Sequence, residues 1–267
     1  MRAILRAGCW SAAAICAALV IGPAAGSSGG LRDAARKHRA EQITSTFENS
    51  TTTLQYAYAE NLHDGRGITA GRAGFCSGTG DLLLVVSLYA RLEPGNELAR
   101  YLPALRVVNT TASTAGLAGF VGVWAHAARA DPLLRRAQDR IEDRLYFDPA
   151  MRSAARYRVA TALGQEVLWD TIIQHGGGSD PDGLAQILRE TAAAMGGRVH
   201  GNEPAWITRF LAIRRRHLLH AADPSTRAAW RESVGRVAAL ASLAREGKWK
   251  LDPPLTWKVY GDRFSLD

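Results

Sequence analysis

The sequence is short of cysteine, of long apolar runs and of acidic residues, and each shortage removes a class of protein. Of three cysteines in 267 residues, Cys9 and Cys16 stand in an apolar stretch at the N-terminus, and Cys76 is alone in the rest. A chain cut after that stretch has no partner for a disulfide, so its fold must rest on its core. Cys76, set in Gly74-Phe75-Cys76-Ser77, reads as a small buried hydrophobe rather than a nucleophile. No run reaches the ~20 apolar residues of a membrane span, and neither a repeat nor a low-complexity block is present. Apolar residues make up 47% and charged residues 22%, with the ten prolines spread along the chain. Disordered, collagen-like and coiled-coil classes are thereby excluded.

Acids are outnumbered by bases, 25 to 33, for a formal charge of +8 and a pI near 9.8. That balance alone suggests an anionic partner such as nucleic acid. The local distribution points the other way. Between Glu48 and Asp81 the chain holds Glu48, Glu60, Asp64 and Asp81 against Arg66 and Arg72, so this segment is acidic within a basic protein.

The N-terminus reads as an export signal over residues 1–26. Arg2 and Arg6 precede the apolar stretch from Cys9 to Ile21, and Pro23-Ala24-Ala25-Gly26 supplies small residues for cleavage. Residues 27–30 read as a linker and 31–267 as one catalytic domain, expected to be secreted and free of the membrane once cleaved. A helix is expected from Leu31 to Phe47. Tyr56 and Tyr58 then alternate with small residues as in a strand, and Ile68 to Gly71 returns as a second strand of a hairpin with Asp64 at its tip. Everything after that reads as helical: Asp81–Leu92 with Thr79 as N-cap, 97–108, 116–129, 132–145, 151–175, 182–195, 204–220 and 226–246. The class is therefore mainly α with a small β-sheet.

Several motifs carry less than they suggest. Gly65, Gly67 and Gly71 miss the dinucleotide fingerprint by one residue and precede no βαβ unit. Ser77 lacks the frame of a nucleophile elbow. His217 and His220 read as a solvated helix face, since no matching carboxylate or cysteine accompanies them as metal ligands. Asp170 differs: it lies amid Leu163, Val167, Leu168, Trp169, Ile172 and Ile173, and a carboxylate there needs cations. The nearest supply is the helix carrying Arg209, Arg214, Arg215 and Arg216. Glu48 and Asp64 form a contrasting pair. Glu48 follows the apolar turn ending in Phe47, a setting that favours the protonated acid, whereas Asp64 in a Gly-rich polar turn stays ionised. A glycosidase needs such a pair, although a capping Glu and a turn Asp would give the same spacing.

Longer blocks are more specific. Glu48-Asn49-Ser50, Gln55-Tyr56-Ala57-Tyr58, Asp64-Gly65-Arg66-Gly67 and Gly74-Phe75-Cys76-Ser77-Gly78-Thr79-Gly80-Asp81 resemble, in order, the N-terminal signature of the chitosanases of glycoside hydrolase family 46. Tyr146-Phe147-Asp148-Pro149-Ala150, Ala162-Leu163-Gly164-Gln165 and Pro253 to Asp262 resemble later family blocks. The resemblance implies a lysozyme-like fold, two helical lobes around a substrate cleft, with the small sheet in one lobe. It implies an inverting endo-hydrolase of β-1,4-linked glucosamine polymers that uses no cofactor and no metal, with chitosan as partner and a monomer as the working form. By this resemblance Glu48 is the general acid, Asp64 the general base, and Thr69 the hydroxyl that holds the attacking water. Tyr58, Glu60, Arg66, Asp81 and Glu203 would line the cleft, and Asp170, Arg198 and Arg214 would form an ionic network behind the acid. Asn61, His63 and Ile68 depart from the usual family residues, which bears on the cleft floor. Two rival readings are a peptidoglycan-cleaving muramidase or lytic transglycosylase and a non-catalytic basic polymer-binding protein.

Overall fold

Caps and glycines decide where the elements of this chain begin and end. The computed structural model describes residues 29–267; the leader expected at 1–26 lies outside them, as do residues 27 and 28 of the linker. The chain forms two units, one of residues 54–147 and one that joins 29–53 to 148–267.

In the 54–147 unit, strands β1 (Ala59–Asn61), β2 (Ile68–Ala70) and β3 (Phe75–Cys76) make an antiparallel sheet in that order. The hairpin expected around Asp64 is present, but Tyr56 and Tyr58 lie just before β1, and the strand at Phe75 was not foreseen. Gly67 permits the return of the hairpin: its φ is +73°, and a Cβ there would lie 2.2 Å from the Ser77 hydroxyl. That buried hydroxyl accepts from the Ile68 N–H at 3.0 Å. Helix α2 (Asp81–Leu92) starts where expected, but its cap is Gly80 in the left-handed region. The Thr79 hydroxyl instead donates to the Asp81 carboxylate at 2.7 Å.

The segment expected as one helix over 97–108 opens as a 3-10 turn, Glu97–Tyr101, before α3 (Leu102–Val108). Gly116 and Gly119 adopt positive φ, so α4 starts only at Phe120 and runs Phe120–Ala130. Asp131 caps α5 (Pro132–Glu142), with Pro132 in the first turn, and a π turn, Asp143–Phe147, follows. Phe75, Leu82, Val85, Leu105, Phe120, Trp124 and Leu134 form the core of this unit. Trp124 Nε1 and Gln138 Nε2 both donate to the Tyr56 carbonyl at 3.1 Å, which anchors the segment entering the sheet.

In the other unit, α1 (Ala34–Asn49) is capped by Asp33, whose side chain accepts from the Arg36 N–H. The single helix expected over 151–175 divides into α6 (Asp148–Tyr157) and α7 (Ala162–His175). Arg158 takes a φ of +61°, and the Thr161 hydroxyl accepts from the Gly164 N–H at 3.1 Å to start α7 afresh. Helix α7 is buried on nearly all faces, as its apolar distribution predicts. Helices α8 (Leu184–Met195) and α9 (Glu203–Leu219) follow. The last expected helix divides at Ser233 into α10 (Arg227–Glu232) and α11 (Val234–Arg245).

The chain then makes a hairpin, β4 (Leu255–Val259) with β5 (Asp262–Leu266), where only helix was expected. Leu255, Trp257 and Val259 alternate inward, and Tyr260 and Gly261 turn with φ of +52° and +95°, the twist a two-residue hairpin loop demands. The indole N–H of Trp257 donates to the buried Thr46 hydroxyl at 3.0 Å, tying this hairpin to α1. Among the described residues, no helix is long and apolar enough to cross a membrane.

Asp131 serves two elements of the 54–147 unit, accepting from the Leu133 N–H at 2.7 Å and from the Tyr89 hydroxyl at 2.6 Å. Asp131→Ala should therefore cost about 1–2 kcal/mol as a lost cap. Asp131→Asn should recover part of the loss, both read from urea denaturation midpoints.

Candidate active site

In the unit containing α1, Glu48 lies in the last turn of the helix with its side chain 22% exposed. Its nearest charged neighbour is the Arg236 guanidinium of α11, which donates from Nη1 to Oε1 at 2.8 Å. The sequence suggested an apolar setting for this carboxyl. Its neighbours are instead a guanidinium and the Phe47 ring, which that guanidinium also faces at 5.3 Å from the centroid.

Behind Arg236 lies Asp170 of α7, fully buried. Arg236 donates to Asp170 Oδ1 from Nε at 3.2 Å and from Nη2 at 2.5 Å. Arg214 of α9, also fully buried, approaches Oδ2 with Nη1 at 2.6 Å. Burial pushes the Asp170 carboxyl up, but the Arg236 and Arg214 charges outweigh it and hold the group below its ordinary range. Asp170 thus joins three helices through two guanidiniums, and that of Arg236 also reaches Glu48.

Arg198 has no place in this network. It is exposed in the loop between α8 and α9, and Arg236 fills the role expected of it. Sequence reasoning missed Arg236, although a signal existed: before the closing Arg245 it is the one charge among the valines, alanines and leucines of α11, the same anomaly that made Asp170 conspicuous in α7. Glu203 has a structural engagement of its own. Only 9% exposed, it accepts from the Ala160 and Thr161 N–H groups at 2.8 and 3.0 Å and from the Thr161 hydroxyl at 2.5 Å. Both of its oxygens accept hydrogen bonds at the start of α7, so it braces a helix junction.

In the 54–147 unit, Asp64 sits in the β1–β2 connection. It accepts from the Arg66 backbone at 3.1 Å and from Arg66 Nε and Nη2 at 3.0 and 2.6 Å. Partial burial raises this carboxyl, yet the Arg66 hydrogen bonds and charge prevail and hold it below the usual aspartate value. It is therefore ionised at neutral pH, as a proton acceptor must be. Register places Glu60 opposite Thr69 and Thr69 opposite Cys76, so these three side chains stand in one row across the sheet. The exposed Glu60 carboxylate holds the Tyr58 hydroxyl at 2.9 Å, while the Thr69 hydroxyl lies 3.3 Å from the buried Cys76 thiol. Burial, chiefly, pushes that thiol up, in keeping with an inert cysteine.

Asp81, 7% exposed, spends Oδ1 on the Cys76 N–H, the Thr79 hydroxyl and the Leu82 N–H. Burial nonetheless raises its carboxyl. Asp81 thus joins the end of β3 to α2, and Tyr58, Glu60, Asp64, Arg66, Thr69 and Asp81 all belong to one unit. No group of three or more histidines, cysteines or carboxylates fit to hold a metal occurs among the described residues.

The profile of glycosyl hydrolase family 46 matches residues 42–255, a span that contains both carboxyl sites. The chain belongs to glycosyl hydrolase family 46. Among family relatives, a chitosanase of Bacillus subtilis (strain 168) is 44% identical over 224 residues, covering 82% of this chain and 80% of that protein. The crystal structure of native chitosanase from Bacillus subtilis MY002 superposes with a TM-score of 0.80 at 41% identity, over 88% of this chain and 99% of the other. A Gynuella sunshinyii chitosanase of the same family, in complex with chitotetraose, gives a TM-score of 0.79 at 44% identity, over 88% and 98%. The mostly helical fold with a small antiparallel sheet is the architecture this family 46 chain shares with those structures.

Removing the charge of Asp170 strands two buried guanidiniums. Asp170→Asn should destabilise the protein by about 3–5 kcal/mol, measured by chemical denaturation at pH 7. Because Asp170 is held below the ordinary aspartate value of 3.8, its contribution is present above that value and fades as pH falls through the lower folded-state value. The stability difference between wild type and variant should therefore be constant near neutrality and shrink in strong acid; a difference that grows on acidification would contradict the pairing.

Proposed function

We propose that this chain is a secreted, endo-acting chitosanase that cleaves β-1,4 linkages between glucosamine units of chitosan by a single displacement with inversion. The observation that carries the reading is the contrast between two carboxyls, in a chain of a glycoside hydrolase family. Glu48 is held by one oxygen only, through Arg236, and Asp64 is kept ionised by Arg66. Since Arg236 can only donate, Glu48 Oε1 is committed as an acceptor, and Oε2 is the oxygen that delivers a proton to the glycosidic oxygen. Asp64 takes a proton from water, with the Thr69 hydroxyl as an aid in holding that water.

Chitosan is cationic once its amines are protonated. The exposed carboxylate of Glu60, the ionised Asp64 and the acidic 48–81 segment suit it, despite the basic balance of the whole chain. The names of the relatives and the chitotetraose held by one structural neighbour support an amino-sugar polymer over peptidoglycan. Export is supported by the Arg2 and Arg6 pair ahead of the apolar Cys9–Ile21 stretch.

Reducing ends released from chitosan, peptidoglycan and colloidal chitin separate the candidate activities; release from chitosan is expected, and release from peptidoglycan alone would overturn the substrate. Glu48→Gln and Asp64→Asn should each lower chitosan turnover by roughly 10²-fold to 10⁴-fold, while chitosan binding persists. Proton NMR in the first minutes of oligomer hydrolysis should show the α-anomer first, because water attacks opposite the β-linkage in one step. Initial β-anomer would require a covalent intermediate and rule out inversion.

A further inference from the structure

We propose that His175 is a positioning residue for the Glu48 acid, acting as a neutral imidazole that fixes Arg214 and, through Asp170 and Arg236, the Glu48 carboxyl. The inference rests on the reading of Glu48 as the proton donor. It starts from the hydrogen-bond account of Arg214. Two nitrogens of this guanidinium donate hydrogen bonds, Nη2 to Gln174 Oε1 at 2.6 Å and Nε to His175 Nε2 at 3.3 Å, while Nη1 makes an ion pair with Asp170 Oδ2 at 2.6 Å. Asp170 and, one turn further on, the adjacent Gln174 and His175 are all on α7, so a single helix presents three acceptors to the rigid fork of an arginine from α9.

Partners on both sides dictate the tautomer of His175. The Arg214 Nε–H can only donate, so Nε2 must accept. On the opposite edge Nδ1 lies 2.9 Å from the Asp182 carbonyl, which can only accept, so Nδ1 carries the hydrogen. The carbonyl is itself held in place. The Asp182 carboxylate takes the Ala222 N–H at 2.7 Å and His217 Nδ1 at 2.6 Å, and the Asp182 N–H donates to Asp180 at 2.7 Å. The Trp230 ring packs edge-on against the imidazole at 4.7 Å between centroids. Burial first, then the Arg214 charge, holds this imidazole well below its ordinary range, so it stays an acceptor in acid, where chitosan is protonated. A charged His175 would face Arg214 with a second cation and release it.

His175 touches neither substrate nor Glu48, so its loss should appear in turnover and not in substrate binding. Asn at this position keeps a donor for the Asp182 carbonyl and removes the acceptor for Arg214; Gln is long enough to offer Arg214 a carbonyl. His175→Asn should lower kcat on a chitosan oligomer roughly tenfold or more through displacement of the acid, with KM unchanged, and His175→Gln should regain most of it. In a Glu48→Gln background, His175→Asn should lower the residual turnover no further, because both act on one proton transfer. Equal losses with and without Glu48, or an unaltered kcat in folded His175→Asn, would overturn the inference. High turnover in Glu48→Gln alone would instead overturn the assignment of the acid. A measurement on the unmodified protein covers the case of an Asn variant that fails to fold. Nitrogen-15 NMR should report a single buried ring protonated at Nδ1 and bare at Nε2 throughout the folded acid range, and an imidazolium or an Nε2–H tautomer would refute the proposal.

Discussion

A carboxylate with no access to water is the constraint on which half of this structure depends. Asp170 sits on a helix buried nearly all round, and a lone charge there would cost several kcal/mol. Two guanidiniums from two other helices remove that cost, and each has further obligations. Arg214 must satisfy its remaining N–H groups, which brings in Gln174 and His175. Arg236 has a free edge on the other side, and Glu48 occupies it. The packing of α1, α7, α9 and α11 is thus coupled to the placement of the Glu48 carboxyl. Electrostatic need in the core and geometric need at the surface are met by the same side chains.

The other unit holds its carboxyl by a different device. Asp64 and Arg66 are two residues apart in a hairpin connection, and backbone and side chain of Arg66 both bind the carboxylate. This is local chemistry: a short polar loop between paired strands, with His63, Gly65 and Gly67 at positive φ. Nothing comparable in length of reach to the Asp170 network is needed, because the group is to remain ionised and water does part of the work. The two carboxyls therefore differ in how they are supported.

Glu203 and Arg198 show how a resemblance of sequence differs from a contact. Glu203 stands one residue after a capping asparagine, and its carboxylate is used by the backbone N–H groups at the start of another helix. Arg198 has the right charge but lies in an exposed loop. Residue type alone cannot separate a ligand-facing acid from one that braces a helix end, since both are carboxylates near polar backbone; the distances decide.

What the sequence by itself determined was local or periodic. The helix over Asp81–Leu92, the cap-and-proline start at Pro132, the hairpin bearing Asp64, the burial of α7 and the demand of Asp170 for cations all follow from patterns within a few residues. The C-terminal hairpin was legible too, in the alternation of Leu255, Trp257 and Val259 and the Tyr260-Gly261 turn, but a short strand pattern after a long helical tract is easily read as its continuation. The resemblance already set Arg214 beside Asp170, and only tertiary structure supplied Arg236 as its second partner. Arg214 and Arg236 are 44 and 66 residues away from it, and Glu48 and Arg236 are 188 apart. No spacing rule spans such separations, because the partner of a buried charge is fixed by how the helices pack and not by distance along the chain.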